Sequence, residues 1–287
     1  MTEPELVDGV ALRQRWPLPD PRRAEDKNDR GSVTVIGGSV STPGAPLLAG
    51  LAALRAGAGR LTVATVASTA VAAAVALPEA AVIGLPETGA GALSLAAAAA
   101  ALDAAERADV VLLGPGMRAP ESARRFVAEL LDRLPREIPV VLDALALTCE
   151  ALTGETARPA LILTPNATEA DMLLEDSSGS AGDDGDRAAA IARRFQAVVV
   201  LGSTVASASG QMWRTPKGNS GLGTSGSGDV LAGAIAGFAA RGATPTAAAL
   251  WGLTAHAGAG DRLAHRVGAV GYLARELLDE LPRVVEQ

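Results

Sequence analysis

Ser32-Val33-Thr34-Val35-Ile36-Gly37-Gly38-Ser39 decides the fold. A β-branched apolar run halted by two glycines reads as a buried strand ending in a tight turn. Residues 45–58, small and apolar, read as a helix, and 61–65 as the next strand. Downstream the alternation resumes. A helix at 92–106 leads to a strand at 109–113, closed by Gly114-Pro115-Gly116. An amphipathic helix at 122–134 precedes a strand at 140–143 that ends on Asp143, and a strand at 161–163 is stopped by Thr164-Pro165-Asn166. A helix from about 169, an acidic Gly/Ser loop at 176–186 and a helix at 187–195 lead to a strand at 198–201. Residues 205–215 read as a short hairpin around Ser209-Gly210, followed by a helix from Asp229 and helices at about 245–264 and 270–280. Strands alternating with helices imply an α/β fold of parallel βαβ units, with helices on both faces of a mostly parallel central sheet. Upstream, residues 1–26 are polar, with Pro17, Pro19 and Pro21 close together, and read as an N-terminal arm, either loosely packed or a short helix; 27–287 reads as a single domain.

In open α/β sheets ligands bind beyond the carboxyl ends of the strands. Gly37-Gly38-Ser39, Gly114-Pro115-Gly116, Asp143, Thr164-Pro165-Asn166 and Gly202-Ser203-Thr204 all follow strands, so they are expected to gather at one rim.

Composition narrows the partners. Of 287 residues, 48% are hydrophobic but only 2% aromatic, so Ala, Val, Leu and Ile must build the core. The net charge is -7 and no cluster of Lys and Arg occurs, which argues against a nucleic-acid partner. Cys149, the only cysteine, can form no intramolecular disulfide and reads as a packing residue. Residues 1–16 lack an apolar signal core and the alanine run 96–101 is too short to span a bilayer, so the expectation is a cytoplasmic protein with no membrane partner.

The richest segment runs Asn219-Ser220-Gly221-Leu222-Gly223-Thr224-Ser225-Gly226-Ser227-Gly228-Asp229 and continues into the apolar stretch Val230–Ile235. A glycine-rich loop entering a helix exposes successive N–H groups, and the helix dipole favours an anion there. Asp229 at the start of that helix reads either as a structural cap or as a base beside bound phosphate. Asn166, three residues before Glu169, reads equally as a capping box and as a substrate contact. Asp143 sits at the rim; His256 reads as packing, His265 as solvent-facing, and the carboxylates at 183–186 as solvated. Neither histidine has a partner at metal-ligand spacing, so no zinc site is expected and the metal ligands stay unknown.

Gly226-Ser227-Gly228-Asp229, with Asn219 and Gly221 before it and Leu231-Ala232-Gly233 after it, resembles the Gly-x-Gly-Asp signature of ribokinase-like proteins. More narrowly, the chain resembles the ADP/ATP-dependent NAD(P)H-hydrate dehydratases. The resemblance is carried by Gly31–Ser39, Gly44-Ala45-Pro46, Ala52–Gly59, Gly114-Pro115-Gly116, Leu142-Asp143-Ala144, Thr164-Pro165 with Glu169, and Ala255-His256-Ala257-Gly258, from about Lys27 to Pro282. It implies a three-layer ribokinase-like fold and a nucleotide-driven repair of hydrated NADH or NADPH, in which the ring hydroxyl is phosphorylated and phosphate is lost. It implies Asp229 as base and substrate contact, with Ala45, Gly116 and Asn166 also lining the hydrated cofactor. Gly202, Ser203, Thr204, Asn219, Gly226, Ser227 and Gly228 would hold ADP or ATP, with Mg²⁺ on the phosphates. It further implies a homo-oligomer, with a tetramer as one state, and a separate epimerase activity on another polypeptide.

The chain departs from the family pattern in three places. Asn166 replaces a usual His, Val200-Leu201-Gly202-Ser203-Thr204 lacks a usual Lys-Gly pair, and Asp143-Ala144-Leu145-Ala146 lacks a second Asp. Lys27 or Lys217 would then replace the missing cation. Asn166 and the shared Asp229 loop also suit a small-alcohol kinase acting on a vitamin precursor, and the missing residues suit a nucleotide-binding protein without turnover.

Overall fold

The computed structural model describes every residue except 1–2, 21–25, 149–151, 153–158, 175–181, 217 and 286–287. Cys149, Lys217 and the first part of the acidic loop expected at 176–186 lie outside the described residues. In chain order the elements are β1 (Glu5–Leu6), α1 (Gly9–Arg15), β2 (Ser32–Ile36), α2 (Gly44–Arg55), β3 (Arg60–Val66), α3 (Ala67–Ala76), β4 (Ala81–Leu85), α4 (Ala98–Ala105) and β5 (Val110–Leu113). Then come α5 (Pro120–Arg133), β6 (Val140–Leu142), β7 (Leu161–Leu163), α6 (Ala167–Leu174), α7 (Asp184–Phe195), β8 (Val198–Leu201), β9 (Thr204–Ala206), β10 (Met212–Arg214), α8 (Ser227–Ala240), α9 (Pro245–Arg266) and α10 (Ala274–Val285).

All five residues of β2 are buried, as a strand covered on both faces requires. The sheet order is β1-β10-β9-β8-β7-β6-β5-β2-β3-β4. Neighbours from β8 through β4 pair in parallel, while β9 pairs antiparallel with both β8 and β10. Alternation along each strand splits the core. Val33 and Val35 face the cluster formed with α2, α8, α9 and α10, whereas Ile36 faces the one formed with α4, α5, α6 and α7. The expected α/β architecture, with a mostly parallel sheet between two helical layers, is therefore present.

With few aromatics, the helices must approach closely. A Cβ on Gly233 of α8 would lie 2.0 Å from the Ala49 carbonyl oxygen of α2, so only glycine permits this packing.

Two regions differ from the sequence reading. Of the two readings of the arm, the short helix is present as α1 and the loose packing is not: β1 pairs in parallel with β10, Val7 and Leu12 are fully buried, and Trp251 donates to the Trp16 carbonyl at 2.7 Å. The pairing joins residues more than 200 positions apart, which local reading cannot detect. Residues 67–85, unassigned from sequence, form α3 and the edge strand β4. Their helix carries no charged residue and their strand contains Gly84, so neither shows the usual polar–apolar alternation.

Candidate active site

The rim is built from backbone first. Gly114 N–H donates to the Ile36 carbonyl (3.1 Å), Asp143 N–H to Leu113 (3.0 Å) and Thr164 N–H to Leu142 (3.1 Å), so the parallel ladder continues into the loops after β2, β5, β6 and β7. Gly38 N–H then reaches the Pro115 carbonyl (2.7 Å), and the Thr42 hydroxyl donates to the Gly116 carbonyl (2.6 Å). A Cβ on Gly116 would stand 2.6 Å from the Thr42 carbonyl oxygen and 2.9 Å from the Ala45 Cβ, which ties the residue to its glycine identity.

Against this rim stands the N-terminus of α8. Its N-cap is Gly226, at φ 89 and without a side-chain cap bond, a conformation that suits glycine. Of the two structural readings of Asp229, N-cap and first-turn carboxylate, the second holds: it occupies the first turn but does not cap the helix. The first-turn N–H groups of a helix have no intrahelical acceptor, so this end is a concentrated donor site for an anion. The position of Gly228 is open: a Cβ placed there would meet nothing within 4 Å. Burial pushes the Asp229 carboxyl up to about 6, so it titrates close to neutrality.

Two cavities flank this point. One, of about 880 Å³, is lined by Ala45, Gly116, Asn166 and Asp229, together with Arg118 and Arg124. All four residues expected to hold the substrate share it. The other, of about 350 Å³, is lined by Gly202, Ser203 and Asn219, together with Asp184, Leu231 and His256. Asp229 and Leu231 are two residues apart on α8 and hence about 200° apart around its axis, which places the helix end between the two chambers.

Thr204 is placed differently from its neighbours. It lies inside β9 at 1% exposure, paired with Leu201 and Arg214, and does not line the smaller cavity. Asn219 lines the cavity but spends its side chain inward: its oxygen accepts from Gly221 N–H and the Tyr272 hydroxyl, both at 2.9 Å, and its nitrogen donates to Asp261 at 3.1 Å. Asn166 and Glu169 form a reciprocal capping box at 2.9 and 3.0 Å, the structural reading of that pair. Asp143 is buried and accepts from the Thr164 hydroxyl at 2.8 Å. Burial, opposed by that bond and reinforced by the charges of Asp229 and Glu169, raises its carboxyl to about 7.

His256 is the satisfied packing residue the sequence suggested: it is buried and lies 2.9 Å from the Ser227 hydroxyl, at the first residue of α8. Burial pushes its imidazole down to about 4, so it is neutral at pH 7. The partners are 29 residues apart, and no local signal linked them. Other sequence readings change here. Asp183, read as merely solvated, caps α7 by accepting from Gly185 and Asp186 N–H, and Asp184 lines the smaller cavity. Lys27 is excluded as the replacement cation. It lies beside Ser32, Gly59 and Arg60, at the amino ends of β2 and β3, opposite the rim. Arg118 and Arg124 were missed, although Arg118 follows a strand-end glycine turn by only two residues.

The fold defines the wider class. A ribokinase-like superfamily protein from Enterococcus faecalis superposes with a TM-score of 0.81 at 24% identity, covering 98% of this chain and 95% of its own. The sequence profile of the NAD(P)H-hydrate dehydratases matches residues 33–283, and the chain belongs to that family. An ADP-dependent (S)-NAD(P)H-hydrate dehydratase from Xanthomonas campestris is 45% identical over 100% of this chain and 99% of its own length. The ADP/ATP-dependent NAD(P)H-hydrate dehydratase of Bacillus subtilis, co-crystallised with ATP/Mg²⁺, has a TM-score of 0.81 at 29% identity, with 96% of each chain covered. A bifunctional NAD(P)H-hydrate repair enzyme from Moorella thermoacetica is 39% identical over 94% of this chain, which spans only 52% of that longer protein.

Proposed function

We propose that the end of α8 transfers a phosphoryl group between the two cavities, and that Asp229 is the base that prepares the acceptor. The reaction is the nucleotide-dependent dehydration of hydrated NADH or NADPH, a repair of the nicotinamide cofactor. The observation that carries the residue assignment is the position of Asp229. It lines the larger cavity, beside an uncapped helix N-terminus, with its carboxyl near 6.

The nucleotide lies in the smaller cavity against Gly202, Ser203 and Asn219, and its terminal phosphate reaches the N–H groups at Gly226 and Gly228, with the Ser227 N–H already donated to the Thr224 carbonyl at 3.2 Å. The hydrated ring lies in the larger cavity against Ala45, Gly116 and Asn166. Asp229 takes the proton of the ring hydroxyl as its oxygen bonds to phosphorus and the bond to the nucleotide breaks. The phosphate ester then leaves the ring as inorganic phosphate, carrying the former hydroxyl oxygen, and a ring proton is lost to restore the dihydropyridine. The physical point is leaving-group quality: hydroxide departs poorly and phosphate well. Donors fixed before the reaction at the helix end stabilise charge on the migrating group without reorganising. ADP is the nucleotide assigned, following the Xanthomonas relative.

Mg²⁺ fits as an ion held mainly by phosphate. Among the described residues no group of three or more His, Cys, Asp and Glu could hold a metal, while Asp229 and Glu169 share one cavity. One or two carboxylates completed by phosphate oxygens and water suit Mg²⁺, which would neutralise phosphate charge. We also assign a homo-oligomer, with a tetramer as its expected size. Helix α3 supports this, since Val71 and Val75 are 78% and 79% exposed on a helix without charge. Among the described residues no helix is long and apolar enough to cross a membrane, and we assign the reaction to the cytoplasm, with epimerisation as a separate activity.

The test incubates the purified protein with hydrated NADH, Mg²⁺ and ADP or ATP and follows dihydronicotinamide absorbance. Recovery that requires nucleotide is expected; its absence, with ATP consumed on a small alcohol, would reject the assignment.

A further inference from the structure

We propose that Asp184 recognises the ribose of the nucleotide, its two carboxylate oxygens accepting from the 2′- and 3′-hydroxyls. The inference rests on the placement of ADP or ATP in the smaller cavity and says which part of the nucleotide each wall of that cavity meets.

Charge gives the first argument. Among the described residues the ionisable walls of this cavity are Asp184 and His256, and no Lys or Arg lines it. His256 is neutral at pH 7, since burial pushes its imidazole down to about 4. A lone carboxylate repels phosphates, so the phosphates point to the donors of α8 and a neutral, hydrogen-bonding part of the nucleotide points to Asp184. The carboxylate has acceptor capacity to spare. Asp184 is exposed, and its one ion-pair partner among the described residues is Arg187 at 3.7 Å, beyond hydrogen-bond reach. That guanidinium is already engaged by Asp171 at 2.5 Å and by the Ala167 carbonyl at 2.7 Å.

Position gives the second. Asp184 begins α7, whose buried Ala188, Ile191 and Phe195 join the core cluster on one face of the sheet, while Leu231 of α8 and Leu253 of α9 belong to the cluster on the other. Helices α7 and α9 both pack on β8 and β9, so the cavity straddles the end of these strands, where Gly202 and Ser203 also line it. On the α8–α9 side, Leu222, Leu231 and Leu253 offer an apolar surface that suits the flat base. The sugar edge is left for the opposite wall. Gly202 is fitted to that wall: it sits at φ 59, and a Cβ there would stand 2.4 Å from Oδ2 of Asp184. The turn thus keeps clear the space that the carboxylate occupies. Adjacent ribose hydroxyls present two donors to two oxygens, whereas the amino group of adenine is flanked by acceptor ring nitrogens that repel a carboxylate. An acid on the ribose hydroxyl is also the device by which other α/β sheets hold a dinucleotide.

The test titrates the wild type, Asp184→Ala, Asp184→Asn and the control Asp186→Ala by calorimetry, each with Mg²⁺ and ADP, 2′-deoxy-ADP, 3′-deoxy-ADP or inosine diphosphate. Asp186 stands in the same first turn of α7 but outside the cavity lining. The wild type is expected to bind each deoxy nucleotide about tenfold more weakly than ADP, as for loss of one hydrogen bond to a charged group. In Asp184→Ala that preference should fall to within about twofold. Asp184→Asn, which keeps one acceptor oxygen, should retain part of it, and Asp186→Ala all of it. Ratios taken within one variant cancel any general loss of folded protein. A wild type without ribose preference, an Asp184→Ala that keeps it, an equal loss in Asp186→Ala, or a loss of discrimination against inosine diphosphate in its place would each overturn the assignment. A wild type that binds no ADP at all would instead reject the two-cavity reading on which it rests.

Discussion

The two chambers beside α8 differ in what closes them. The larger is made mostly from loops and helix starts at the carboxyl ends of strands, with Gly116, Ala144, Asn166 and two arginines on its walls. The smaller is made from the β8–β9 turn, the start of α7, the loop before α8 and helices α8 and α9, and its His256 wall makes the buried contact to Ser227. One chamber is walled by two arginines and two carboxylates; the other has Asp184 as its one charged wall among the described residues. The difference teaches that one helix can face two unlike chambers, because residues 229 and 231 point in nearly opposite directions.

The most severe way to break the comparison is to remove the group between the chambers. Asp229→Asn is expected to lower turnover about 10²–10⁴-fold, while nucleotide binding by calorimetry and the circular dichroism spectrum stay near wild type. A protein that turns over normally would displace Asp229 from its role.

Acid should act on the same carboxylate. A base must be ionised, so kcat/KM should fall about tenfold per pH unit below a midpoint near 6, the value to which burial raises Asp229. A profile flat down to pH 5 would contradict this.

His256→Phe sharpens the asymmetry. It deletes the partner of the Ser227 hydroxyl, so nucleotide KM should rise about tenfold while hydrate KM changes little. Equal effects on both would mean that the chambers are not independent. His256→Gln, which keeps a donor near the hydroxyl, should be milder.

Asp143, buried next to the Ala144 and Leu145 that line the larger chamber, tests the rim through stability. Its folded value of about 7 lies above the ordinary 3.8, so the protonated acid is favoured by folding. That contribution is complete below about pH 4 and is lost as pH rises through 7, at no more than about 1.4 kcal/mol per unit. Denaturant titrations of Asp143→Asn should lack this decline across the window; an identical slope in the variant would show that other groups cause it.

The smallest effect on catalysis is expected far from the rim. Glu280 is 2% exposed and receives Arg262 (2.7 Å), Arg266 (2.7 Å) and Arg283 (3.1 Å), joining α9 to α10. Burial alone would raise its carboxyl, but the Arg262 bond and the arginine charges hold it low. Glu280→Gln should lower Tm by a few degrees, an effect of about 1–3 kcal/mol since the arginines are half exposed. KM values should not move. The pair's contribution is present above the ordinary carboxylate range and fades as pH falls through the depressed folded value.

Much of the site was legible because its signals are local. Gly226-Ser227-Gly228-Asp229 announces a helix N-terminus through adjacent residues, and Gly114-Pro115-Gly116 and Thr164-Pro165-Asn166 each mark where a strand must stop. The strand-end rule then gathers those turns without coordinates. Thr204 lies outside the lining of the smaller cavity because the turn after β8 is only two residues long and the chain is already back in the sheet.

By itself, then, the sequence determined the alternation of strand and helix, the glycine-rich helix start and the placement of Asp229 in its first turn, since each depends on neighbours a few positions apart. Tertiary structure decided what those features face: the Ser227–His256 contact, the packing of the arm through β1, the removal of Lys27 to the far end of the sheet and the arginines in the wall of the larger chamber. These depend on residues tens to hundreds of positions apart, whose meeting follows from the crossing of chain segments and is encoded in no local pattern.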